Sequence, residues 1–163
     1  MQAQLDNMVT IIRDTPSWFI PKELFREEKI QEYWSVLHTT SQVEEIGKDE
    51  VENFILLYPK PKDVHTVHEI SLMYKDLREK FPENHHAVYV NVYDECFNLL
   101  LLKDADIAYS GYFRFSVKED VLYHIANVAQ KVFEDISQVT FAYKQAPPAI
   151  IYLLNDYYDM KKI

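Results

Sequence analysis

Glycine is almost absent from this chain: Gly47 and Gly111 are the only two among 163 residues. Loops that cradle phosphate need glycine for positive φ and for close backbone approach, and two isolated glycines cannot build one. Walker-type and dinucleotide-binding loops are therefore excluded, since neither spacing occurs. Cysteine is scarcer still, with Cys96 alone. No internal disulfide is available, and the apolar, strand-like run around Cys96 marks it as a buried, inert thiol. Long hydrophobic runs are missing too. Leu99–Leu102 and Ala149–Leu154 fall far short of the ~20 residues that span a bilayer. Met1–Thr10 lacks a basic start followed by an apolar stretch, so no signal peptide is read. Positive charge is in deficit: 17 Lys+Arg against 26 Asp+Glu leave a formal charge of −9 and a pI near 5.1. Such a chain repels phosphate backbones and anionic lipid unless a basic patch intervenes. Lys60 with Lys62, and Lys161 with Lys162, are too sparse to form one. Neither nucleic-acid binding nor membrane insertion is expected, and the cytoplasm is the expected compartment.

What the chain does have is hydrophobic and aromatic material. Hydrophobic residues make up 48%, and 12 Tyr, 9 Phe and 2 Trp bring the aromatics to 14%. A chain of this length buries a real core without staples. Met8–Ile12 is short and β-branched and reads as a strand. Pro21 sits as proline does at a first helical position. Behind it Leu24, Ile30, Tyr33, Trp34 and Leu37 place an apolar stripe on a helix closed by His38–Ser41. An irregular stretch carries Gly47, then Asn53–Tyr58 forms an apolar strand stopped by Pro59-Lys60-Pro61. Val67, Ile70, Tyr74, Leu77 and Phe81 recur at spacings of three and four, predicting a helix over Asp63–Phe81.

The period then changes to two. Val88, Val90 and Val92 alternate with Tyr89, Asn91 and Tyr93, the pattern of a half-buried strand. Cys96–Leu102 is a second strand beyond the turn Tyr93–Glu95. Lys103–Asp106 turns into a third, with Ile107, Tyr109, Gly111, Phe113 and Phe115 on one side. Ser116-Val-Lys-Glu119 fits a capping box, and Val117, Val121, Ile125, Val128 and Val132 mark a helix ending near Phe133. Val139–Tyr143 is strand-like, and Pro147-Pro148 opens a last helix reaching about Met160. The composition shift at residues 81–87 divides the chain into residues 1–82 and 83–163.

From residue 87 the order strand-strand-strand-helix-strand-helix resembles the opening of the ribonuclease H-like fold, a unit that actin-like ATPases use twice. The expected fold class is accordingly α/β (α+β), with a partial β-α-β-α half in front. Ala87–Leu102, Tyr109–Phe113 and Glu119–Tyr123 are similar to the second subdomain of a bacterial family known from Bacteroidetes, domain of unknown function 3822. Trp18–Phe25 resembles its first half. Members run longer, and this chain looks like a shortened one. The resemblance implies an actin-like fold without an assigned activity. Active actin-like ATPases open the unit with an aspartate on the first strand, then glycine and a hydroxyl residue in the turn. The resemblance puts Asn91 at the aspartate, Tyr93 at the glycine and Asp94 at the hydroxyl position, and each change opposes nucleotide binding. Ribonuclease H-type nucleases need several carboxylates converging on two metals. Asp94 and Glu95 sit in a turn, and no third acid accompanies them.

Other candidate sites are thin. His65 and His68 fall at i, i+3 with Glu69 beside them, but the His-Glu-x-x-His order is missing and no further ligand is evident. They read as solvated residues at a helix start. His85-His86 falls in a loop, and His124 lies beside an apolar helical stripe. No Gly-x-Ser-x-Gly elbow exists. Glu27-Glu28, Glu44-Glu45 and Asp49-Glu50 read as solvated charge. Tyrosine is the exception. Tyr89, Tyr93, Tyr109, Tyr112, Tyr152, Tyr157 and Tyr158 exceed what a core needs, and tyrosine suits contact surfaces because its body packs while its hydroxyl stays wet. The last helix adds Ile150, Ile151, Leu153 and Leu154, which span more than one packed face. The expectation is a non-catalytic, degenerate actin-like protein without metal or cofactor, acting on a protein partner or a second copy of itself. A divergent ATPase or phosphotransferase, and a small-ligand binding domain, are the alternatives.

Overall fold

The structure, a computed structural model, describes residues 9–37 and 45–163. Met8 and the helix closure at His38–Ser41 lie outside the described residues. The chain divides into two compact units, Met1–Leu72 and Met73–Ile163.

The first unit runs β1 (Thr10–Ile12), β2 (Trp18–Pro21), a 3-10 turn at Glu27–Lys29, α1 (Ile30–Leu37), β3 (Glu45–Val51), β4 (Phe54–Lys60), β5 (Thr66–His68) and the start of α2 (Glu69–Lys80). β1 pairs in parallel with β5, Thr10 opposite Thr66. β2, β4 and β3 form an antiparallel sheet in that order. Several expectations are corrected here. Pro21 closes a strand instead of opening a helix, because Trp18-Phe19-Ile20 is aromatic and β-branched and β2 is an edge, where proline is tolerated. Leu24 accordingly lies in a loop, 62% exposed. The stretch around Gly47 is strand β3, hidden in the sequence by its charges Lys48, Asp49 and Glu50. β4 continues through Pro59. The helix expected from Asp63 starts only at Glu69, since Thr66 and Val67 are β-branched and are taken into the parallel pair with β1.

The second unit contains β6 (Ala87–Val92), β7 (Cys96–Lys103), β8 (Asp106–Arg114), α3 (Lys118–Val132), β9 (Thr140–Tyr143), α4 (Pro148–Asn155) and β10 (Met160–Lys162). Its five strands lie in the order β10-β9-β6-β7-β8. The β6-β7-β8 meander is antiparallel, and β9 returns to pair in parallel with β6. The expected arrangement over residues 87–143 is present, with β10 added where the last helix ends five residues early. β6 is not half-buried. All six of its residues are buried, because β7 and β9 flank it and both faces are covered, as in parallel-type sheets. Val88, Val90, Leu99, Leu101 and Phe141 join Val121, Ile125, Ile150 and Leu154 of α3 and α4 in one core. The compact units divide at Leu72/Met73, and within the second the Asp76 carboxylate on α2 bonds to Tyr89 and Lys144.

Two local devices differ from expectation in detail. The α3 start is held by Asp120, not Glu119: its carboxylate accepts from the Ser116 and Val117 N–H groups at 2.9 and 3.2 Å. Those backbone donors hold its carboxyl below the ordinary value. A bulge between Leu101 and Leu102 pairs Ile107 with Leu102 but Tyr109 with Leu101. Ile107 therefore leaves the face it was expected to share with Tyr109, Gly111 and Phe113.

Neither glycine has positive φ; the positive values fall on Glu52, Asp63, Asp104 and Ala105. Gly47 lies opposite Tyr58, and a Cβ there would run into the Tyr58 ring. Gly111 makes the same room for Tyr109 and Phe113. Gly47→Ala is expected to lower the unfolding free energy by about 1–3 kcal/mol. Ala105→Gly, which relieves φ 68° in the turn between β7 and β8, should raise it by about 0.5–1 kcal/mol. Urea melts of the two variants check both signs.

Candidate functional site

The turn joining β6 to β7 carries Tyr93 and Asp94, two of the three positions singled out by the resemblance, and follows Asn91, the third. Tyr93 N–H donates to the Cys96 carbonyl at 2.8 Å, closing a hairpin whose tip is Asp94-Glu95. Neither tip residue needs positive φ, so the turn forms without glycine. Both tip carboxylates are exposed. Asn91, just before the turn, is buried. Its Oδ1 accepts from the Lys144 and Gln145 N–H groups, both at 3.2 Å, and Val92 N–H donates to the Gln145 carbonyl at 2.8 Å. The Asn91 amide thus fastens the end of β6 to the chain leaving β9.

Tyr89 is fully buried, which removes it from any contact surface. Its hydroxyl donates to Asp76 at 3.2 Å, and the Lys144 ammonium reaches the same carboxylate at 2.8 Å. Tyr109 stacks against Phe113 and Tyr158 against Phe141, the latter with ring centroids 4.2 Å apart. Burial raises the pKa of both phenols. Tyr93 and Tyr112 are half-buried, and the Tyr112 hydroxyl accepts from Arg114 Nε at 3.4 Å. Tyr152 and Tyr157 are 74% and 65% exposed. Tyr123 on α3, 65% exposed, belongs with them. The sequence carried its signal, since Tyr123 lies off the apolar stripe of its helix.

The histidine pair dissolves as a site. Thr66–His68 is strand, so His65 and His68 do not share a helical face, and His68 is fully buried instead of solvated. Ile70 N–H donates to His68 Nδ1 at 3.2 Å, and Nε2 lies 3.1 Å from the Thr15 carbonyl. The two contacts define a neutral ring with the proton on Nε2. His124 packs against Phe113 at 4.6 Å. Among the described residues no group of three or more His, Cys, Asp or Glu could hold a metal ion. Cys96 opens β7 and is half-exposed rather than buried, because it falls at the strand's first position.

Sequence reasoning missed Asp49, whose charged surroundings look solvated. Its carboxylate accepts from the Tyr58 hydroxyl (2.8 Å), His68 N–H (2.8 Å) and Ser71 hydroxyl (2.7 Å), tying β3 to β4, β5 and α2. A second missed feature is a groove of about 660 Å³ in the first unit, walled by Trp18, Ile20, Leu24, Tyr33 and Val36. The nearby Lys29 ammonium is taken by Glu32 at 3.3 Å, and Arg26 donates to the Glu23 and Phe25 carbonyls.

No family model matches the chain, and no curated protein does. Among solved structures it is similar to a Bacteroides thetaiotaomicron protein with actin-like ATPase fold and unknown function. The TM-score is 0.76 at 12% identity, over 94% of this chain and 66% of that one. The fold is that of the actin-like ATPases. A filament of AlfA bound to AMPPNP matches at TM-score 0.43 and 14% identity, over 94% of this chain and 51% of that chain. The chain therefore spans just under two thirds of the first of these structures and about half of the second. Among the described residues no helix is long and apolar enough to cross a membrane.

Burial drives the His68 pKa down from 6.5 to about 4, against the opposing pull of the Thr15 carbonyl, Asp49 and Asp14. The unfolded chain takes up a proton on this ring below pH 6.5 while the folded chain resists until about pH 4. His68 thus contributes no acid penalty above pH 6.5. As the pH falls to 4, stability drops by up to about 3 kcal/mol on its account. Urea melts at pH 7 and pH 4.5 should show that loss in the wild type and a smaller one in His68→Gln.

Proposed function

We propose that the chain is a non-catalytic, degenerate actin-like domain, a relative of the bacterial domain of unknown function 3822 family, which works in the cytoplasm through protein–protein contacts. The observation that carries this reading is the commitment of Asn91. Where the resemblance implies a metal-positioning aspartate, the side chain accepts two main-chain N–H groups inside the fold. The turn beyond it offers the Asp94 and Glu95 carboxylates, which repel phosphate. Exposed Tyr123 on α3, Tyr152 on α4 and Tyr157 just after α4 support the contact half, since tyrosine gives large contact area at low entropic cost.

Thermal unfolding with and without Mg-ATP tests the reading. No shift is expected for the wild type, nor for Asn91→Asp, whose carboxylate would keep the two N–H partners. Stabilisation by several degrees, or phosphate release that Asp94→Ala abolishes, overturns it.

A second reading, a small-ligand domain, is favoured by the groove beside α1. Its volume lies in the range of ligand sites and its walls are mainly apolar. Arg26 and Lys29 are bonded within the protein while Glu23 and Glu32 also line the groove, so the fitting ligand is mainly apolar and not anionic. Binding there should change Trp18 fluorescence, and Val36→Glu should abolish the change.

A further inference from the structure

The two parallel strand pairs of the chain have different surroundings. In the second unit β9 pairs with β10 on one side and with β6 on the other, all three in parallel. In the first unit β1 pairs in parallel with β5, and no third strand joins them among the described residues. Both pairs share one order: the strand that comes first in sequence, β9 or β1, leads through a crossover to its parallel neighbour. β1 therefore holds the place of β9, and the place that β6 takes beside β9 is open beside β1. Parallel strands are ordinarily covered within larger sheets, and two strands alone are marginal in water.

Main-chain contacts show which edge is open. Thr10 N–H donates to the His65 carbonyl at 2.9 Å, so Thr10 and Ile12 address β5 and the main-chain groups of Ile11 face the other way. The outer edge of β5 is closed by side chains. The Thr66 carbonyl accepts from the Tyr58 hydroxyl at 3.1 Å, and His68 N–H donates to Asp49 at 2.8 Å. The main-chain groups of Ile11 have no such partner among the described residues. Val9 and Ile11, on one face of the strand, are both exposed, whereas Phe141 and Ala142 of β9, flanked on both sides, are buried.

We propose that a partner protein adds a strand to the open edge of β1, running parallel to it and bonded to the main chain of Ile11. The added strand is uncharged and β-branched, as β6 is beside β9, because its side chains must cover Val9 and Ile11. A second copy of this chain is a poorer occupant. Twofold pairing of β1 with itself sets the strands antiparallel, and β6, the strand of the required kind, is buried in its own sheet. The inference rests on the reading of the chain as one that acts through protein contacts, and names the surface and the chemistry of the partner.

The probe is a fluorescent peptide of the β6 sequence, Ala-Val-Tyr-Val-Asn-Val, flanked by lysines for solubility and titrated with the full chain by anisotropy. Saturable binding is expected. The same peptide in reverse order carries the same charges, so it separates parallel pairing from electrostatic attraction, and it should bind about tenfold more weakly. Ile11→Pro removes the outward N–H at an edge position where proline is tolerated, and should also weaken binding about tenfold. Melting curves confirm that the variant is folded. Should Ile11→Pro fail to fold, Ile11→Lys gives the same comparison by removing the apolar contact while keeping the N–H. No saturable binding, equal binding of the reversed peptide, or indifference to the Ile11 variants overturns the proposal. A dimer of the chain alone that the Ile11 variants dissolve overturns it too, since the occupant is then a second copy. Failure of the peptide to bind, without nucleotide binding, leaves the contact reading standing, whereas nucleotide binding overturns that reading itself.

Discussion

β6 is buried on both faces, and the rest of the second unit is arranged around that constraint. A polar side chain on such a strand costs free energy unless it finds a partner inside the protein. Tyr89 meets the constraint with Asp76 on α2, and Asn91 meets it with the main chain beyond β9. Both partnerships fix neighbouring elements. Asp76 collects the Tyr89 hydroxyl and the Lys144 ammonium, so one carboxylate joins α2, β6 and the residue after β9. The Asn91 amide and the Val92–Gln145 bond set where the chain leaves β9 and turns toward α4. A side chain spent on holding the strand in place is a poor instrument for holding a substrate.

Scarcity of glycine acts on the same structure from another direction. With two glycines, both consumed by close approach of aromatic rings, the tight turns fall to residues with a Cβ. Glu52, Asp63, Asp104 and Ala105 take positive φ, at a steric cost that glycine would have spared. The hairpin at Asp94-Glu95 avoids the cost by staying at negative φ. Such a turn presents carboxylates at its tip, where a glycine-rich loop would present a cradle of N–H groups. Packing explains where the glycines went: Tyr58 lies flat over Gly47 and sends its hydroxyl on to Asp49 and Thr66. Burial and the neighbouring carboxylate both hold that phenol above its ordinary pKa, so it stays a donor.

The second unit was largely legible in the sequence because its elements are long and periodic. Val88-x-Val90-x-Val92, the Leu99–Leu102 run and the α3 stripe each carry enough repeats to identify an element. The first unit was not legible to the same degree. Its strands are three to seven residues long, too short for period to separate them from helix, and Pro21 and Pro59 sit at positions that punctuate other structures. His68 shows the difference sharply. Counted along a helix it is a solvated residue near an N-terminus; placed at the end of β5 it points inward and must lose its charge. The Asp49 network was illegible for a related reason, since its partners are 9, 19 and 22 residues away in sequence. No local pattern distinguishes a carboxylate that will collect distant donors from one that will be solvated.

The two units divide their polar groups in a way that bears on what the fold can do. In the first, Asp49, Tyr58, His68 and Ser71 form a closed set in which each donor has an acceptor and the histidine is held neutral. In the second, Tyr89 and Asn91 on β6 are equally bonded, and the exposed groups lie at the periphery: Asp94 and Glu95 at the turn, and Tyr123, Tyr152 and Tyr157. A fold of this kind is specified by hydrophobic pattern and strand order, which survive at 12% identity to a structure of the same architecture. Chemistry depends on a few positions that the pattern does not fix. Here Asn91 and Tyr89 are bonded inside the fold and hold strands together, while the architecture persists around them.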